Sequence, residues 1–202
     1  MLIIGCCANA SSAAQVQPFN ISQAVVAYSQ EYGISPYLVI SVIKAESNFQ
    51  NNALSSKNCI GLMQVSPGTA KLVEPGITTS DLWDPATNLR IGTIYLKSLL
   101  VKFNNNVPYT LAAYNAGPGN VYNWLYKNKN LNVADIPYKE TRDYIHRIIG
   151  VYNVYKSEQV LAGYQVTQAP KNSNLKQKNT PSQENSQNQY VAENDIAFYK
   201  TN

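Results

Sequence analysis

Charge is scarce in this 202-residue chain: 14% of the residues are charged, and the net charge is +4. No dense Lys/Arg cluster occurs, which argues against nucleic acid as a partner. The mild positive balance suits an anionic polymer surface without identifying one. Histidine is scarcer still. His146 is the single one, and without a Cys/His cluster there is no metal-ligand pattern. Cysteine totals three. Cys6 and Cys7 lie at the extreme N-terminus and Cys59 stands alone in the body, so no disulfide framework is expected. Neither a metal nor any other cofactor is expected. Two further absences matter. No apolar run is long enough to span a membrane. No segment shows sustained period-two alternation, so the fold class expected for the body is all-α.

The two ends differ from the body. The opening "MLIIGCCANASSAAQ" combines a short apolar run with small residues, in the manner of an export signal. "IIGC" resembles a lipoprotein box that would lipidate Cys6, while Ala8-Asn9-Ala10 offers a plain A-x-A cleavage site. From about Val166, "TQAPKNSNLKQKNTPSQENSQNQ" holds too little apolar matter to fold alone. The expected organisation is an N-terminal signal remnant or linker over 1–19, a folded domain over 20–160 and a low-complexity, disordered tail over 161–202.

Helix punctuation is legible between those ends. "ISQAVVAYSQEY" (21–32) is a short amphipathic helix stopped by Gly33. Ser35-Pro36, Ser66-Pro67 and Asp84-Pro85 each place a capping residue before a proline, the arrangement that starts a helix. The first should run to about Ser47. The Asp84 helix is long, with Leu89, Leu96, Leu99, Leu100 and Phe103 near helical spacing. Pro108 opens another helix, "AGPGN" (116–120) breaks it, and a further helix holds Val121 to Tyr126. The last runs from Tyr138 to about Tyr155, with Thr141, Tyr144, Ile145 and Ile148 on one face.

Three places have the residue types of a polar site. Glu46 follows Val39, Val42 and Ile43 at i−7, i−4 and i−3, so it ends the apolar stripe of its helix. Burial and the helix C-terminus should both raise its pKa, which suits a general acid. A solvated residue at a fraying end is the other reading, and the helix alone does not separate them. In "CIGLMQV" (59–65), Gln64 is the one polar side chain among apolar ones. A buried amide must be paired or must face a ligand. In "LAAYNAGPGNV" (111–121), Asn115 closes a helix beside glycines that expose backbone, a geometry shared by ligand grips and ordinary turns. His146 shares a helix side with Arg142, Asp143 and Arg147 and reads as a solvated histidine.

Taken in order, "ESNF", "GLMQVSPGTA", "AAYNAGPGNV" and "ETRDYI" resemble the catalytic domain of the soluble lytic transglycosylases, in the goose-type lysozyme superfamily. The resemblance covers roughly residues 20–157. It implies a lysozyme-like helical domain with a substrate groove, acting on peptidoglycan glycan strands. It implies Glu46 as the single catalytic acid/base. It also implies Ser55, Met63, Gln64, Asn115 and Tyr144 as substrate-binding residues, with Met63 lining the groove and Tyr144 hydrogen-bonding near the acid. Glu140 and Arg142 would tie the last helix to the domain. One departure is Asn58-Cys59 where the family has Gly-Ala. Asn tolerates a left-handed backbone, and Cys is a compact stand-in for Ala.

Most glycoside cleavage uses two carboxylates, and a second is hard to find here. The family's chemistry explains the shortage, because the sugar's own 6-hydroxyl attacks C1 and leaves a 1,6-anhydromuramoyl end. The resemblance further implies export to the periplasm or cell envelope and a monomer, with membrane contact only through a lipid at Cys6. Small exported members serve secretion, pilus or conjugation machines. Three other readings remain: a hydrolytic goose-type lysozyme, a non-catalytic glycan-binding module of a secretion machine, and a structural adaptor that recruits partners through its tail.

Overall fold

The computed structural model describes residues 18–164. The export-signal expectation and nearly all of the polar tail lie outside them. Seven α-helices make up the described body: α1 (Ile21–Tyr32), α2 (Pro36–Ser47), α3 (Pro67–Val73), α4 (Pro85–Lys102), α5 (Val107–Ala116), α6 (Pro118–Lys127) and α7 (Lys139–Ser157). Short 3-10 turns cover Ser80–Trp83 and Val133–Asp135. Among the described residues, extended pairing is confined to isolated bridges, Leu54 with Ile60 and Ile60 with Val65.

The helix ends follow from local chemistry. Asn20 starts α1 by accepting from the Gln23 amide, and Gly33 ends it in the left-handed conformation. Ser66 and Asp84 cap α3 and α4 by accepting from the amides of Thr69 and Thr87. Each such cap contributes about 1 kcal/mol. Ser35 occupies the cap position of α2 but makes no side-chain cap bond. That start rests instead on Pro36, whose fixed φ is already helical. Two boundaries differ from the sequence reading. Helix α5 begins one residue before Pro108, because the Asn106 side chain accepts from the Tyr109 amide. Helix α6 begins at Pro118 rather than Val121, because the break needs only Gly117, at φ 86°.

The core forms where α2 packs against α7, α1 against α2 and α4, and α5 against α4, α6 and α7. Val39, Val42 and Ile43 of α2 are fully buried, as are Ile145 and Ile148 of α7. Packing continues to Leu161, one residue into the stretch assigned to the tail. Two glycines fix how closely the loop over 53–65 approaches α4. A Cβ on Gly61 would come within 2.5 Å of the Asn88 amide, and one on Gly92 within 2.5 Å of the Met63 sulfur. Neither contact is sterically possible without displacement, so both positions demand glycine.

Candidate active site

Helix α2 carries Glu46 to its last turn, and Asn48 then turns the chain with φ 50°. Because the helix stripe below Glu46 is buried, its carboxyl points along the same side toward α7. There Tyr144, itself buried, donates its phenol to Glu46 Oε1 at 2.6 Å. The carboxyl is half-buried. Its pKa is raised to about 7, chiefly because burial penalises the charged form. The Tyr144 hydrogen bond and the Arg147 charge pull it down in part, and Glu140 pushes it up slightly. A carboxyl at this value exchanges readily between acid and base near neutral pH.

The loop over 53–65 runs beside this acid, and its anchors are buried. Ser47, next to Glu46, donates to the Leu62 carbonyl at 2.8 Å. Asn88 of α4 is completely buried and uses both ends of its amide. Its nitrogen donates to the carbonyls of Ile60 and Leu82, and its oxygen accepts from the Met63 amide at 2.9 Å. Tyr114 of α5 donates its phenol to the Met63 carbonyl at 2.8 Å. Burial pushes the Tyr114 phenol well above its ordinary pKa, and the Glu46 charge adds to that, so Tyr114 faces the same site.

The residues singled out from the sequence take different parts in this arrangement. Gln64 sits at φ 47° and donates its amide nitrogen to the carbonyls of Ala53 and Gly61. It therefore braces the loop, and its oxygen has no donor among the described residues. Ser55 accepts the Cys59 amide through its hydroxyl and closes the 55–59 turn. Asn58 adopts φ 59°, the left-handed backbone that asparagine tolerates. Asn115 lies in the last turn of α5 and accepts the Thr141 hydroxyl at 2.7 Å, which joins α5 to α7. Met63 requires a correction. Its side chain is wholly buried against Gly92 and Thr93 and lines no groove. The chain turns at Gly61 and Gln64 and directs both residues between them, Leu62 and Met63, inward.

Helix α7 also departs from expectation. Arg142 does tie its start down, donating to the carbonyls of Ile136 and Pro137. Glu140 makes no such tie: it is exposed, and its charge reaches Glu46 instead. Other carboxylates are engaged elsewhere, Glu74 by Arg90, Asp81 by Thr78, Asp84 by Thr87, Asp135 by Asn132 and Asp143 by Lys139. The sequence reading did not single out Tyr114 or Asn88. Tyr114 had a signal, since it immediately precedes Asn115. Asn88 had none beyond a polar residue on the apolar face of α4.

A helical body with one half-buried acid at a helix end, gripped by a tyrosine from a packed neighbour, is the lysozyme-like class of domain. Solved structures agree. The 70 kDa soluble lytic transglycosylase from Escherichia coli superposes with a TM-score of 0.65 at 31% identity, covering 70% of this chain and 25% of that one. The lytic transglycosylase Slt of Pseudomonas aeruginosa, solved as an inactive Glu-to-Gln mutant, gives 0.64 at 32% identity, covering 73% and 25%. The model of the Transglycosylase SLT domain matches residues 23–136, and the chain belongs to that family. The soluble lytic murein transglycosylase of E. coli K12 is 35% identical over 139 residues, 63% of this chain and 21% of its own length. The membrane-bound lytic murein transglycosylase C of Haemophilus influenzae (strain PittGG) is 32% identical over 124 residues, 54% of this chain and 34% of its own. The chain thus spans about a fifth of the soluble relative and a third of the membrane-bound one.

Proposed function

We propose that this chain is a peptidoglycan lytic transglycosylase of the cell envelope. It cleaves the β-1,4 bond between MurNAc and GlcNAc and leaves a 1,6-anhydromuramoyl end. The observation that carries this reading is the state of Glu46: a carboxyl held near pKa 7 by burial and hydrogen-bonded by Tyr144, with no second carboxylate bonded to it among the described residues. An acid of this kind can give a proton and take one back at the same pH. In the first half, protonated Glu46 donates to the glycosidic oxygen as the C1–O bond breaks, while the N-acetyl group of MurNAc assists departure. In the second half, the Glu46 carboxylate takes the proton of the sugar's 6-hydroxyl as that oxygen bonds C1. The proton count returns to its start, and no water is consumed. Tyr144 orients the acid. Ser55, Gln64, Asn115 and Tyr114 surround the acetamido group.

The relatives support this assignment by their names, one of them as an inactive Glu-to-Gln mutant. A further similar structure is described as a complex of the 70-kDa soluble lytic transglycosylase with bulgecin A. Mass spectrometry of digested peptidoglycan tests the reading. Anhydro ends, lighter by one water than reducing ends, are expected, and the Glu46→Gln chain should release neither. Reducing ends alone would make the protein a hydrolase. Equal clearing of cell walls by Glu46→Gln would remove Glu46 as the catalyst. Service to a secretion, pilus or conjugation machine is part of the same proposal, and co-purification from envelope fractions would test it.

A further inference from the structure

Helix α7 sets Glu140, Tyr144 and Arg147 at i, i+4 and i+7, one stripe along its length. The middle member bonds Glu46. The third has no role in the chemistry set out above. Its guanidinium carbon lies 5.8 Å from the centroid of the Tyr144 ring, within the range of a cation–π contact. Its side chain is exposed. The ion pairs among the described residues are Arg90 with Glu74 and Lys139 with Asp143, and Arg147 is in neither. A cation outside those short ion pairs therefore stands over the tyrosine that holds the acid.

We propose that Arg147 is a positioning residue for the Glu46 acid/base, fixing the Tyr144 ring from above and favouring the Glu46 carboxylate by its charge. The proposal rests on the assignment of Glu46 as the sole acid/base. The two halves of that reaction make opposite demands on one carboxyl. Burial alone would favour the neutral form and leave the ionised form between the two halves unsupported. A cation at the rim supports that form without burying a charge of its own. The groups that face Glu46 are few. From α7 come Tyr144, Arg147 and Glu140, and from α5 comes Tyr114. Arg147 and Glu140 act in opposite directions, and Arg147 has the larger effect. His146 turns its influence to Asp143 instead.

The test compares the full chain with Arg147→Gln and Arg147→Lys. The Glu46 carboxyl is titrated by carbon-13 NMR, and the release of anhydro product is followed against pH. In Arg147→Gln the titration midpoint should rise by about half a pH unit, and the alkaline limb of the rate profile should move with it. Arg147→Lys should restore most of the shift, since the charge returns. Concentrated salt should raise the midpoint of the unaltered chain, but not that of Arg147→Gln, where the smaller Glu140 repulsion is the charge left to screen. An unchanged midpoint in Arg147→Gln overturns the proposal whatever happens to the rate. So does a shift that lysine does not reverse, because charge is then not the cause. Should the unaltered chain release no product while the midpoint still moves, the proposed activity fails and the electrostatic link stands.

Discussion

Replacing Glu46 with glutamine should make this protein more stable, but only above the acid range. The free carboxyl titrates near 4.5, and the folded one near 7. Between those values the folded chain keeps a proton that the unfolded chain has released. Stability then falls as pH rises, by about 1.4 kcal/mol per pH unit for one group. Over the interval of roughly 2.5 units this amounts to about 3 kcal/mol, lost by pH 8 and fully retained below pH 4. Glutamine is neutral at every pH, nearly isosteric, and keeps an oxygen for the Tyr144 phenol. Glu46→Gln should therefore match the unaltered chain at pH 4 and exceed it by about 3 kcal/mol at pH 8. Urea denaturation at both pH values, with the slope of the transition held common, measures the difference. A stability difference that is the same at pH 4 and pH 8 would refute the reasoning, since Glu46 would then titrate alike in both states. An active site that is costly to fold in its working state is a familiar trade between stability and activity.

Two other substitutions probe the supports. Asn88→Ala leaves the carbonyls of Ile60 and Leu82 and the amide of Met63 without their partner in a dry interior. At about 1–3 kcal/mol per buried group, partly relieved by relaxation, a loss of about 3–5 kcal/mol is expected in the same urea assay. A loss under about 1 kcal/mol would mean that water reaches the loop. Tyr144→Phe removes the donor to Glu46. Because that bond favours the carboxylate, the Glu46 midpoint should climb above 7 by about one pH unit, more than in Arg147→Gln. Carbon-13 titration reads this directly, and an unmoved midpoint would show that the phenol does not bond the acid in solution.

The sequence by itself determined the helices and their order. Ser66, Asp84 and Gly33 act through bonds within four residues of themselves, so local chemistry was enough to read them. It also put Glu46 at the end of an apolar stripe, because helical periodicity is a local property. The resemblance of separated motifs then picked out Tyr144, 98 residues away. What the tertiary structure alone decided is which way the irregular segments face. In "CIGLMQV" no period applies: Gly61 and Gln64 take positive φ values and bury Met63 between them. Asn88 could not be read as the anchor of that loop, since its partners lie six to twenty-eight residues away. The direction of the Glu46 shift was legible in the apolar stripe, but its extent has the same tertiary origin. It comes from burial and from charges that α7 brings against α2, and a one-dimensional pattern contains neither the distance nor the missing water.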